Sequence, residues 1–234
     1  MKIMSFNTQH CLNFKERTID FKIMAETILA EDADVIGLNE MRGAGEHPDY
    51  TDQTRALSEL TGITDYYFAK ALDVPGGGPY GNALLSKIPI VEARTIPIPM
   101  PTVFAEDETR HREPRCVLKA KLENGVTVLV AHFGLNPSEQ RSAVQTVLEN
   151  FEDEKCILMG DFNLRPDNPI LSDLRERMQD AADCFAEPCL SFPSDAPYAK
   201  IDYIFTSRDM KITHADIPAV IASDHRPHTA TVTF

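Results

Sequence analysis

Cys156-Ile157-Leu158-Met159-Gly160-Asp161-Phe162-Asn163 is an apolar run of strand length that stops on an acid and an amide. Such a run suits a strand buried on both faces, and strands of that kind belong to sheets covered on both sides. The same pattern recurs outward along the chain. Ile3–Phe6 runs into Asn7, Val35-Ile36-Gly37-Leu38-Asn39 into Glu40, and Val128-Leu129-Val130-Ala131 into His132. Asp202 lies inside Ile201-Asp202-Tyr203-Ile204-Phe205, and Asp224 and His225 precede a final strand. Ala83–Leu85 is a further apolar run, while Cys116–Leu122 alternates, with Lys119 and Lys121 on a wetter face.

Helical spacing falls between these runs. Thr18–Ala30 places Ile19, Ile23, Thr27 and Ile28 on one stripe; Thr51–Leu60 and Ser138–Phe151 are similar, and Pro137 marks a helix start. Asp167–Gln179 reads as one or two short helices. Strands alternating with helices predict an α/β protein whose large mixed sheets are covered by helices. Ile96–Pro101 with Thr102–His111 reads as an exposed loop and Gly76–Pro79 as a second. Neither resembles an interdomain linker, so the expectation is a single domain over residues 1–234.

The formal charge is −13, from 23 Lys and Arg against 36 Asp and Glu, which argues against a protein held on nucleic acid by a broad basic face. A nuclease is not excluded, because a divalent cation and a few arginines can attract phosphate locally. No apolar run approaches the ~20 residues that span a bilayer. The N-terminus is too polar for a signal peptide, and five scattered cysteines make a disulfide framework unexpected. Cytoplasm is the expected location.

Each polar residue that ends a strand has an ordinary explanation when taken alone. Asn7 and Asp161-Phe162-Asn163 fit turns, Glu40 a solvated loop, and His132 a structural histidine. Asp202 is harder to dismiss, because an acid flanked by Ile201 and Tyr203-Ile204-Phe205 needs a specific partner. Together they would partner one another at one edge of the sheets.

In that arrangement the chain resembles the endonuclease/exonuclease/phosphatase superfamily of deoxyribonuclease-like phosphohydrolases. The resemblance rests on Ile3–Asn7, Ile36–Glu40, Gly81–Ser86, Ala131-His132-Phe133, Met159–Asn163, Ile201–Ile204 and Ser223-Asp224-His225, which run in the family's order. It implies a four-layer α/β sandwich, two mixed sheets face to face with helices outside. By matched position it implies Glu40 as the principal metal ligand with Asn7 beside it, and Asp224 as a second carboxylate on the metal side. It makes Asp161 and Asn163 the pair that handles water and phosphate, and Asp202 the acid orienting a catalytic His225. His132 matches the second histidine of the deoxyribonuclease-like and sphingomyelinase-like branches. Arg112, in Arg112-Glu113-Pro114, and Arg115 compete as the phosphate-binding arginine; the ordinary alternative is a surface ion pair with Glu108 or Glu113.

The chemistry fits these residue types. A phosphodiester repels hydroxide, so a cation must neutralise its oxygens, and Mg²⁺ (or Mn²⁺ in its place) favours few carboxylates over a His/Cys cluster. The expected activity is Mg²⁺-dependent phosphoester hydrolysis, most specifically of a phosphodiester or nucleic acid, with Asp161 as base and His225 as a charged stabiliser. A small phosphorylated metabolite or lipid headgroup is the alternative substrate, and an inactive binding protein on the same scaffold a remote one. Ala131-His132-Phe133-Gly134 and the lack of tryptophan disfavour the abasic-site branch, and Ala199–Tyr203 disfavours the inositol-polyphosphate branch. Gly43–Asp52, Val74–Tyr80 and Pro97–Arg112 are the candidate substrate loops.

Overall fold

The computed structural model describes residues 1–185 and 187–234. The elements run β1 (Lys2–Asn7), α1 (Phe21–Glu31), β2 (Val35–Arg42), α2 (Gln53–Thr61), β3 (Asp65–Asp73), β4 (Pro79–Ser86), β5 (Ile90–Pro97) and β6 (Cys116–Leu122). They continue with β7 (Thr127–His132), α3 (Pro137–Asn150), β8 (Cys156–Asp161), α4 (Ser172–Arg177), β9 (Gln179–Asp180), β10 (Asp202–Thr206), β11 (Lys211–Asp216) and β12 (His228–Thr233).

Capping explains where the helices begin. Asp20 accepts from the Lys22 and Ile23 amides, so α1 starts at Phe21 rather than Thr18. Asp52 does the same for α2, which stops at a left-handed Gly62. Asn136 and Glu139 form a capping box at the start of α3.

Two six-stranded sheets result, ordered β11-β12-β1-β2-β4-β3 and β5-β6-β7-β8-β10-β9. Alternation along each strand divides the apolar side chains among three layers. Ile3, Val35, Leu84, Leu118, Val130, Met159 and Ile204 meet between the sheets. Met4, Ile36 and Leu38 face Met24 and Leu57 on the first pair of helices, and Leu129, Leu158 and Phe205 face Val144, Val147 and Leu174 on the second. This is the expected four-layer α/β sandwich. A Cβ on Gly37 would come within 2.6 Å of the Met159 sulfur, so the sheets approach here only because the residue is glycine.

Topology then collects the site. β1 runs parallel to β2 and β7 parallel to β8, so all four carboxyl ends lie at one edge of the sandwich. Register sets Asn7 beside Asn39 and His132 beside Asp161. β10 is antiparallel to β8, which brings its first residue, Asp202, opposite Asp161. β12 is antiparallel to β1, with His228 opposite Ser5, so the Asp224-His225 segment just before it reaches the same edge.

Two loop expectations need correction. Ile96 and Pro97 belong to β5, an edge strand where a proline costs no interior ladder bond. Pro79 and Tyr80 belong to β4.

Asn39 fastens the sheets together beneath the site. Its amide nitrogen donates to Asn82 Oδ1 (2.9 Å) and to the Ala131 carbonyl (3.1 Å), and its Oδ1 accepts from the Asp161 amide (2.9 Å). Asn82 in turn donates to the Cys116 carbonyl at 2.9 Å. Asn39→Ala orphans several fully buried groups and should lower the unfolding free energy by about 3 kcal/mol in urea titration. A change below about 1 kcal/mol would show that this fastening carries little of the stability.

Candidate active site

Glu40 occupies a bulge. Leu38 pairs with Ala83 and Met41 with Gly81, so Asn39 and Glu40 share one partner position. Glu40 adopts φ +61° and Asn163 φ +52°, conformations that cost about 1–3 kcal/mol outside glycine and cluster at functional sites. The bulge turns the Glu40 carboxylate toward the edge, where Asn7 Nδ2 donates to Glu40 Oε1 and to Asp161 Oδ2, each at 3.0 Å. Asn7 Oδ1 accepts from the Gln9 amide at 3.0 Å. Its nitrogen, not its oxygen, therefore faces the carboxylates. In this arrangement Asn7 braces two acids.

Asp161 is the hub. Its Oδ1 accepts from the Asn163 amide at 2.9 Å, while His132 Nε2 and His225 Nε2 stand 3.5 and 3.6 Å from Oδ2, beyond direct hydrogen-bond length. Phe162 is stacked between Phe133 (4.2 Å) and Tyr203 (5.0 Å) on the helical side, which fixes the turn that carries Asp161 and Asn163.

His225 Nδ1 lies 2.9 Å from Asp202 Oδ2. Burial alone would push His225 down, but the carboxylates of Asp202 and Asp161, then Asp224, outweigh it and raise it to about 10. His225 is thus a cation, donating to Asp202 and presenting Nε2–H toward Asp161. His132 is its opposite. Burial, the Arg115 guanidinium and His225 hold it well below the usual histidine range. Arg115 Nη1 lies 2.6 Å from His132 Nδ1, and a guanidinium only donates, so neutral His132 carries its proton on Nε2. The Asn163 amide nitrogen, 3.2 Å from Nε2, then donates to the Phe133 carbonyl (3.1 Å) and not to the ring.

The two arginines separate cleanly. Arg115 joins the cluster, with Nη2 paired to Glu113 at 2.7 Å. Arg112 is exposed, its guanidinium 3.7 Å above the Phe104 ring and bonded to the Glu108 carbonyl, with no site residue among these contacts. Of the two expected phosphate-binding arginines, the structure brings Arg115 and not Arg112 to the cluster. Only the residue next to the start of β6 is held at the sheet edge.

Asp224 accepts from Ser223 Oγ at 3.0 Å and, like Glu40 and Asp161, is pushed upward chiefly by burial. Asp202 Oδ1 is buried without a partner. Glu40, Asp161, Asp202 and Asp224, with Glu113 on Arg115, are five carboxylates against two cations, His225 and Arg115, an imbalance that a bound divalent cation would relieve. Asp161, Asp202 and His225 each bring a potential ligand atom within 4.8 Å of the others. Because His225 Nδ1 is committed to Asp202, the carboxylates of Glu40 and Asp224 remain as alternative oxygen donors for a divalent cation.

Tyr80 is expected only within a substrate loop, and Phe192 is not expected at all. Tyr80 stands beside Glu40, its phenol pushed well up by burial and then by that carboxylate. Phe192 packs its ring 4.8 Å from His225. The Asn39–Asn82 bond had a readable signal: alternation places Asn39 with Gly37, and Asn82 with Leu84, on the face between the sheets.

A model of the endonuclease/exonuclease/phosphatase family matches residues 4–225. The chain belongs to that family. Solved structures of the same fold include an endonuclease/exonuclease/phosphatase from Beutenbergia cavernae (21% identity, TM-score 0.80, covering all of this chain and 71% of that one). A mannosyl-6-phosphatase from Bacteroides thetaiotaomicron is similar over the full length of both chains (16%, TM-score 0.78). The human Nocturnin catalytic domain, solved with bound sulfate, is similar over all of this chain and 93% of that one (18%, TM-score 0.70). No protein with a curated description matches the chain. Among the described residues, no helix of this family member is long and apolar enough to cross a membrane.

Proposed function

We propose that the chain is a divalent-metal-dependent phosphoester hydrolase, a single cytoplasmic domain over residues 1–234 that acts on phosphodiesters. Family membership supports hydrolysis of a phosphoester. The observation that carries the reading is the line Asp202–His225–Asp161, joined through Asn7 to Glu40. Asp161, raised by burial, accepts a proton from the attacking water. His225, held charged and oriented by Asp202, donates to a phosphate oxygen. Neutral His132 offers Nε2–H, and Asn163 adds an uncharged amide. Arg115 contributes charge while fixing the His132 tautomer, since both of its terminal nitrogens are engaged. Glu40 and Asp224 would hold Mg²⁺ or Mn²⁺, which when bound neutralises phosphate oxygens and developing charge. The −13 charge supports a second reading in which the substrate is a small phosphorylated metabolite rather than a polymer.

A panel of bis-p-nitrophenyl phosphate, p-nitrophenyl phosphate, plasmid DNA and RNA tests the class, with activity expected in Mg²⁺ and none in EDTA. Glu40→Gln should raise the Mg²⁺ concentration for half-activation at least about tenfold, since even outer partners of a metal have effects of that size. Its melting temperature should not fall, because a half-buried carboxylate is replaced by a neutral isostere. Unchanged metal activation in Glu40→Gln would remove the ligand assignment.

A further inference from the structure

A groove of about 730 Å³ opens from Asn163 and is lined by Phe192, Tyr198, Arg110 and Arg165. Its size lies within the range of small-molecule sites. An aromatic wall runs along it from the catalytic centre. Phe192 sits 4.8 Å from the His225 ring, and Tyr198 packs edge-on against Phe192 at 6.1 Å. The Tyr198 and Ala199 amides both donate to the Phe192 carbonyl (2.9 and 3.0 Å), so a closed backbone turn presents the tyrosine. Tyr198 is nevertheless 61% exposed. A lone exposed tyrosine needs no explanation, but this one ends a wall that starts at the phosphate-facing histidine. The Arg165 guanidinium lies 5.8 Å from its ring centroid. Neither Arg110 nor Arg165 is in an ion pair with a described residue, in a chain with a large acidic excess. A planar ring joined to a phosphate, with polar edges and further negative charge, complements such a groove. The lining also carries one carboxylate, Asp167, and the amides of Gln140, Asn163 and Asn168, which suit ribose hydroxyls; the aromatic wall is the part that a simple sugar phosphate would leave unused.

We propose that this groove seats the nucleoside of a nucleotide-type ester, its base stacked on Tyr198 and its phosphate at Asp161 and His225. The proposal rests on the phosphoester reading and narrows its substrate. Adenosine 5′-monophosphate and ribose 5-phosphate differ only in the base, so calorimetric titration of each in Mg²⁺ isolates the stacking. The nucleotide should bind about tenfold more tightly to the wild type. Tyr198→Ala should erase that difference and Tyr198→Phe should restore it. Equal affinities in the wild type, or a preference that survives Tyr198→Ala, would overturn the proposal. A short oligoadenylate arm separates the sources: affinity equal to the mononucleotide assigns free nucleotides, tighter binding assigns a strand, and both retain the nucleoside. Binding is read without turnover. Absence of hydrolysis would therefore sink the enzyme reading alone, whereas aryl phosphate hydrolysis without a nucleotide preference would sink the groove alone.

Discussion

Asp161→Asn should lower kcat by about 10³-fold while KM changes by no more than about threefold, the scale and pattern of a lost general base. On the proposed mechanism this carboxylate takes the proton of water, with Oδ1 and Oδ2 each fixed by one amide, from Asn163 and Asn7. Asn preserves the shape and the contact at Oδ1, so folding should persist and only proton acceptance is lost. Steady-state kinetics on bis-p-nitrophenyl phosphate, beside circular dichroism of both proteins, measures this directly. A variant that retains more than about a tenth of wild-type kcat would transfer the role of base elsewhere.

The interior of each sheet was readable and its margins were not. β1, β2, β4 and β12, with β6, β7, β8 and β10, are interior strands, and all eight correspond to apolar or alternating runs. β3, β5, β9 and β11 are the edges, and none was read as a strand. β3 buries only Ala69 and β11 only Ala215, because an edge strand facing water on one side need not repeat apolar residues. Their backbone pairing is dictated by a neighbouring strand rather than by their own side chains.

The site divides in the same way. Asn7, Glu40, His132, Asp161, Asp202 and His225 were legible because a polar group at the end of a buried strand demands partners. Which atom meets which partner was not legible, since register and bulges decide it. The Glu40 bulge, the inward-facing nitrogen of Asn7 and the choice of Arg115 over Arg112 are all of this kind. Phe192 gave no signal, and Tyr80 was legible only as the end of a candidate substrate loop, because both act through tertiary contact.

The pairing of Asp202 with His225 yields the prediction with the most informative shape. His225→Ala and Asp202→Asn should each lower kcat about 10²-fold, and the double variant should also lose about 10²-fold rather than 10⁴-fold, because the two act as a unit. The pH–rate profile tests the charge assignment. Burial raises Asp161, so its basic form, and the activity, should increase with pH through its folded pKa. The carboxylates of Asp202 and Asp161 raise His225 to about 10, against the pull of burial, so its cation and the activity should disappear as pH climbs through that value. A bell results, whose limbs belong to the coupled pair. Mg²⁺ beside Glu40 should shift both limbs toward acid without exchanging them, since a nearby cation disfavours protons on either group. Asp202→Asn removes the nearer of the two carboxylates on the His225 ring, so the falling limb must move to lower pH. In His225→Ala the falling limb should vanish and the rising limb remain. A rising limb that vanishes in His225→Ala would instead make the histidine the base and leave Asp161 to orient the water.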